Sequence, residues 1–128
     1  IRRPPRSTQS RSSAASDVYK RQTLSDGSRC FFTHGMSANI LQLSMQMGMH
    51  VVQGHYHSKF SIGYFSNPDQ LVWGMQVGCL TSQSSLAFDY AKNFKSRFIV
   101  GCGMIINGQP KLMPMVFGKD GEWIKKIA

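Results

Sequence analysis

The stretch Val51-Val52-Gln53-Gly54-His55-Tyr56-His57 is the one from which the fold prediction starts. Its apolar beginning predicts a buried strand, and the glycine that follows allows a tight turn or a close backbone approach. Side chains two residues apart on an extended chain project to the same side, so the pattern predicts that His55 and His57 face one point. Imidazole is a common ligand of zinc and similar metals. Because an isolated His-x-His is more often a surface pair, the metal interpretation needs support from the rest of the chain.

That support comes from a second stretch upstream, Phe31-Phe32-Thr33-His34-Gly35. It is also an apolar run that ends in histidine and glycine, and it predicts a strand over Arg29–Thr33 after a turn at Asp26-Gly27. The later stretch predicts a strand over His50–Gln53. If the two strands are parallel, their ends lie at one edge of a sheet, where sites of α/β proteins usually form. The predicted metal ligands are therefore His34, His55 and His57.

A helix is predicted between the two strands, which makes the unit a β-α-β crossover. Ser37 is the expected N-cap, Ala38–Met47 the helix and Gly48 the C-terminal cap. Its apolar stripe is interpreted as core packing rather than as a methionine-rich binding groove. The stripe is centred on Leu41 and Met45, with Ile40, Leu43 and Met47 beside them.

The remainder of the chain is rich in short strands and turns. A helix or long loop is expected at residues 84–93, and turn residues occur at Asn67–Gln70, Asn107-Gly108 and Asp120-Gly121. The fold class predicted is α/β: a partial α/β sandwich in which a β-α-β crossover is followed by antiparallel strands. The expected strands are Lys59–Phe65, Leu71–Leu80, Phe98–Ile106 and Lys111–Phe117.

Two motifs resemble the calcineurin-like metallophosphoesterases: Thr33-His34-Gly35 and Gly54-His55-Tyr56-His57 look like that family's last two metal-binding motifs. Residues 73–80, WGMQVGCL, are similar to a segment of its phage and bacterial branch, and the resemblance extends over about residues 23–114. It implies hydrolysis of a phosphomonoester or phosphodiester, nucleic acid included, by two divalent ions (Mn, Fe, Zn or Ni). By the same resemblance, His34 and His55 bind one ion and His57 binds the other.

The chain departs from that family in one respect. It contains no DxH, GD or GNH motif, although in the family these precede the two histidine motifs and supply a bridging aspartate, an asparagine ligand and a further histidine. Asp17 and Asp26 do not lie in matching contexts. We therefore expect residues 23–128 to be the C-terminal part of a metallophosphoesterase domain with little or no activity by itself, and no catalytic residue is assigned.

The net charge of +9 is concentrated at the beginning of the chain. Residues 1–22 contain six of the fifteen basic residues and one of the six acidic ones, together with many serines and prolines. We interpret them as a disordered or non-native basic leader that resembles translated vector sequence. Residues 23–128 are only mildly basic. No membrane-spanning run or signal peptide is apparent, so a cytoplasmic location in a bacterium or phage-infected cell is expected.

Two other classes of function stay open at this stage. A small basic nucleic-acid-binding module would use the leader as a native arm, and its binding would weaken as salt concentration rises. A structural domain would carry the histidines for packing alone. His50, which begins its strand at the end opposite to His55, is interpreted as structural or surface-exposed.

Overall fold

The strands form two sheets in the computed structural model, which describes residues 20–81 and 98–127. Five strands make one mixed sheet, and three make a second, antiparallel sheet. The predicted mixture of helix and strand is confirmed in these residues, although strand predominates. In chain order the elements are β1 (Arg21–Thr23), β2 (Arg29–Thr33), α1 (Ile40–Met47), β3 (His50–Gln53), β4 (Phe60–Ser66), β5 (Leu71–Val77), β6 (Gly101–Ile106), β7 (Gln109–Phe117) and β8 (Trp123–Ile127).

The predicted β-α-β crossover is present. Strands β2 and β3 lie side by side and parallel, with Cys30 opposite His50 and Thr33 opposite Gln53, and α1 connects them. The spatial order in the larger sheet is β1-β2-β3-β5-β4. β5 is parallel to β3, whereas β1 and β4 pair antiparallel at the two edges. The carboxyl ends of three adjacent strands thus reach the same edge of the sheet.

Helix α1 begins at Ile40, two residues later than predicted. The reason is the cap. Asn39, not Ser37, supplies it: the Asn39 side-chain oxygen accepts a hydrogen bond of 3.0 Å from the Gln42 amide, which satisfies an N–H group that has no partner within the helix. The helix ends at Gly48 as expected, because Gly48 adopts the left-handed conformation (φ 61°).

One face of the sheet is covered by α1. Ile40 and Leu43 form a buried cluster with Phe31 of β2 and Val51 of β3. Met45 is 46% exposed, so the prediction that centred the buried stripe on Leu41 and Met45 is wrong. The buried positions include Ile40, Leu43 and Ser44, spaced as one face of a helix requires. Relative to the predicted orientation, α1 is therefore rotated about its own axis by a fraction of one helical turn.

The other face of the larger sheet carries a second cluster around Cys30, Trp73 and Met75. Ile105 and Leu112, from the smaller sheet, pack against it. The Trp73 indole N–H also donates a hydrogen bond of 3.1 Å to the carbonyl of Gly108, in the turn between β6 and β7. The larger sheet is therefore covered by α1 on one face and by the hairpin β6–β7 on the other.

Several predicted boundaries shift. Strand β5 ends at Val77 rather than Leu80, since the backbone turns at Gly78 (φ 64°). The turn predicted at Asn107-Gly108 is confirmed, with φ values of 50° and 76°. Strand β1 includes Arg21 and Gln22, the last two residues of the predicted leader. The helix or loop predicted at residues 84–93 and residues 1–19 lie outside the described residues.

No helix within residues 20–81 and 98–127 has the length and apolar character needed to cross a membrane.

Candidate metal centre

The carboxyl ends of β2 and β3 bring two histidines together. Thr33 lies opposite Gln53 at the last paired position, and the Gly54 amide extends the ladder by donating to the Thr33 carbonyl at 3.2 Å. His34 follows Thr33 directly, and His55 follows Gly54. Both imidazoles therefore emerge at the same sheet edge, which is where α/β folds usually bind ligands.

The two rings face each other through nitrogen. His34 Nε2 and His55 Nδ1 are 3.2 Å apart, the ring centroids are 5.0 Å apart, and both side chains are exposed to solvent. At this distance one ring can donate a hydrogen bond to the other. Two nitrogen ligands of a tetrahedral zinc ion, with bonds of 2.0–2.1 Å, are separated by a similar distance of about 3.3 Å. The spacing of this pair thus fits a shared proton or a shared ion.

His55 has an unusual backbone. Its φ is 71°, in the left-handed region that costs a residue with a side chain about 1–2 kcal/mol. The chain is therefore not extended at His55, so the extended backbone from which the common direction of His55 and His57 was predicted is absent there. The Tyr56 amide donates to the Gly54 carbonyl at 2.9 Å, which closes a tight turn at this point.

His57 lies in different surroundings from the pair. Its ring makes an edge contact with Phe98 at a centroid distance of 5.4 Å, and its carbonyl accepts a hydrogen bond from the Ile99 amide at 2.9 Å. Within the parts of the chain that the structure describes, no three or more His, Cys, Asp or Glu side chains are grouped so as to hold a metal ion. The structure thus joins His34 to His55, while the expected meeting of all three imidazoles is not seen there.

Gly35 makes room for this arrangement. A Cβ atom at Gly35 would lie 2.7 Å from the His55 Cβ and 2.8 Å from its Cγ, too close for any side chain. At Gly54 a Cβ would come no nearer than 3.7 Å to another atom. Of the two glycines in the histidine motifs, Gly35 is therefore the one whose lack of a side chain allows His55 to pack against the loop after His34.

Gln53 takes part in the site although the sequence analysis did not single it out. It is fully buried, and its side-chain oxygen accepts hydrogen bonds from the amides of Met36 and Ser37, at 2.8 and 3.2 Å. Its side-chain nitrogen donates to the Ser37 carbonyl at 2.6 Å. A polar residue that interrupts an apolar run just before Gly54 was the available signal, since a buried amide must find partners.

His50 lies at the opposite end of β3 and is buried. Its ring stacks on Trp73 at a centroid distance of 4.4 Å, and its Nδ1 accepts a hydrogen bond of 3.1 Å from the Trp73 amide. Burial lowers the pKa of His50, while the Asp26 carboxylate acts in the opposite direction. Of the two roles considered for His50, structural and surface-exposed, these contacts fit the structural one. His50 lies at the end of β3 opposite to the candidate metal centre.

Comparison of the chain with protein-family models, with curated proteins and with solved structures found no match. Two imidazoles at a sheet edge are suitable ligands for zinc, iron, nickel and related ions.

Proposed function

We propose that the chain carries the histidine side of a metal-dependent phosphoesterase centre, in the C-terminal part of an α/β sandwich of the calcineurin-like type. The observation that supports this most directly is the 3.2 Å separation of His34 Nε2 and His55 Nδ1 at the ends of two adjacent parallel strands. The motifs that contain these residues, THG and GHYH, are the ones that resemble that family's ligand motifs.

The donor set fits one divalent ion. His34 and His55 would hold it through the two nitrogens that face each other, and Mn, Fe, Zn or Ni would suit them. When bound, such an ion polarises a phosphoryl oxygen and makes hydroxide available near neutral pH. The substrate class we propose is a phosphomonoester or phosphodiester, with nucleic acid among the candidates, in the cytoplasm of a bacterium or phage-infected cell.

His57 would belong to a second ion in the same proposal. A second ion close to the first needs carboxylate ligands to offset the charge, and the DxH and GD motifs that contain aspartate in the resembled family are not in this sequence, nor is the GNH motif. We therefore propose that the 128-residue chain by itself binds an ion but hydrolyses phosphate esters slowly or not at all.

The test is metal binding by the 128-residue chain, with Co²⁺ as a spectroscopic substitute and titration at pH 7.5. We expect His34→Ala and His55→Ala each to weaken Co²⁺ binding by about 100-fold or more, since loss of even an outer-shell partner costs about 10- to 100-fold. Inorganic phosphate should tighten Co²⁺ binding to the wild type, because a ligand shared with the ion couples the two affinities.

The matched control is His50→Asn, which removes an imidazole from the other end of β3 and should leave Co²⁺ affinity unchanged. Unaltered Co²⁺ binding in His34→Ala would contradict the proposed site. Co²⁺ binding that is insensitive to phosphate would contradict the phosphoesterase assignment while leaving the metal site in place.

A further inference from the structure

We propose that Gln53 and Gln76 are positioning residues that set the spacing of His34 and His55. The two glutamines hold the loop between β2 and α1, residues 34–39, against the sheet. This inference rests on the proposed metal site, since the spacing that they maintain is the one that accepts an ion.

Gln53 attaches the middle of this loop. Every polar atom of its side chain is used: the oxygen accepts two amides and the nitrogen donates to one carbonyl, all from Met36 and Ser37. Gln53 also lies two residues before His55. One side chain thus connects the segment that follows His34 to the strand that leads into His55.

Gln76 attaches the next part of the loop. It lies opposite Gln53 in the pairing of β3 with β5 and is 3% exposed. Its nitrogen donates to the Ala38 carbonyl at 3.3 Å, and its oxygen accepts from the Ser61 hydroxyl at 3.3 Å. The two neighbouring glutamines therefore bind three consecutive loop residues, 36–38, from the same face of the sheet.

The loop has little other attachment to the protein interior. His34, Gly35 and Met36 are exposed, and so are Ala38 and Asn39. An apolar side chain at position 53 would leave the amides of Met36 and Ser37 and the Ser37 carbonyl without this partner, so nothing from β3 would bond to the loop at these atoms. What the glutamines add is a defined loop position, and this position places Gly35 against the His55 side chain.

The test compares Gln53→Met with wild type by two measurements on the 128-residue chain. Methionine keeps the length of the side chain and removes all three hydrogen bonds. In the metal-free protein, imidazole ¹⁵N spectra report whether His34 and His55 still share a hydrogen bond, and we expect this signal to be lost. Co²⁺ affinity should fall by about 10- to 100-fold, the usual effect of losing a residue that orients a metal ligand.

Ser44→Ala is the matched control. Ser44 is also fully buried and also donates a hydrogen bond, to the Leu41 carbonyl, but it lies within α1 away from the loop. We expect it to leave the ¹⁵N signal and the Co²⁺ affinity unchanged. An equal loss in Ser44→Ala and Gln53→Met would overturn the inference, because general destabilisation would then explain both.

Gln76→Met decides the question if Gln53→Met does not fold. It removes one loop contact, so we expect a smaller fall in Co²⁺ affinity, about threefold to tenfold. A wild-type ¹⁵N signal together with wild-type Co²⁺ affinity in the glutamine variant that folds would overturn the inference. A third outcome separates the two proposals. If the wild type shows the ¹⁵N signal but binds no Co²⁺, and the signal is lost in the glutamine variant, the positioning role stands and the proposed metal function fails.

Discussion

The two ends of strand β3 use histidine in opposite ways. At the amino end, His50 is buried, stacks on Trp73 and uses its Nδ1 to accept the Trp73 amide. At the carboxyl end, His55 lies just beyond the strand, exposed, in a left-handed conformation and 3.2 Å from the nitrogen of His34. Solvent access and the partner of the ring nitrogen, rather than residue type, thus separate a packing histidine from a candidate ligand.

The difference is also electrostatic. Burial lowers the pKa of His50, which favours the neutral ring that a hydrogen-bond acceptor needs to be. Its Nδ1 lone pair is already occupied by the Trp73 amide. At the other end, His34 and His55 are exposed residues, and their facing nitrogens lie 3.2 Å apart. The buried end therefore contributes to stability, and the exposed end is the one for which we propose metal binding.

Trp73→Ala should produce the largest effect, at the buried end. Trp73 is 1% exposed, stacks on His50 and bonds to the Gly108 carbonyl, so we expect unfolding free energy to fall by about 3–5 kcal/mol. Urea denaturation measures this. Trp123→Ala is the control: Trp123 is 44% exposed, so its loss should cost clearly less than the loss of Trp73. Similar losses of unfolding free energy in the two variants would show that Trp73 is not the main stabilising residue at this end of β3.

Gly35→Ala should have an intermediate effect, confined to the exposed end. Its Cβ would meet the His55 side chain at 2.7 Å, and overpacking of this kind costs about 1–3 kcal/mol unless His55 moves away. Because His55 is exposed, we expect it to move, so that Co²⁺ affinity falls by about tenfold or more. Titration of Co²⁺ measures it. Gly54→Ala, whose Cβ would make only ordinary van der Waals contact with His34 at 3.7 Å, should bind Co²⁺ as the wild type does.

His50→Asn should change the pH dependence of unfolding free energy, the smallest of these effects and one confined to below about pH 6.5. The folded-state pKa of His50 is lowered from 6.5, so the unfolded chain takes up the proton first. The contribution of neutral His50 to the unfolding free energy is complete above pH 6.5. It is lost as the pH falls toward the folded-state pKa, by no more than about 1.4 kcal/mol per pH unit.

Asparagine does not titrate and can still accept the Trp73 amide, so His50→Asn should flatten this part of the curve of unfolding free energy against pH. Urea titrations between pH 5 and pH 7.5 measure the slope. Asp26, whose pKa is lowered from 3.8 by hydrogen bonds from Ser28, contributes only at more acidic pH and does not overlap with this window. An unchanged slope in His50→Asn would show that His50 is not the titrating group.

Local patterns were sufficient to predict much of the fold. The apolar runs at Arg29–Thr33 and His50–Gln53 became strands with the predicted limits, because each is short, apolar and bounded by turn residues or glycine. Gly48 and Asn107-Gly108 adopt positive φ angles as their sequences indicated. The local pattern does not set the start of α1, since Ser37 and Asn39 are both good caps and the start depends on which side chain reaches an amide of the first turn.

The sequence by itself determined that histidines would leave adjacent parallel strands at one edge, because apolar runs and glycines act locally. Only the tertiary structure decided which histidines meet. Three features direct His55 toward His34. They are the left-handed turn at His55, the space left by the missing side chain of Gly35, and the hydrogen bonds of Gln53 to loop residues sixteen and seventeen positions away. His57 instead contacts Phe98. Apart from the turn at His55, these are contacts between residues distant in the chain, and no local pattern encodes the direction of a side chain that depends on them.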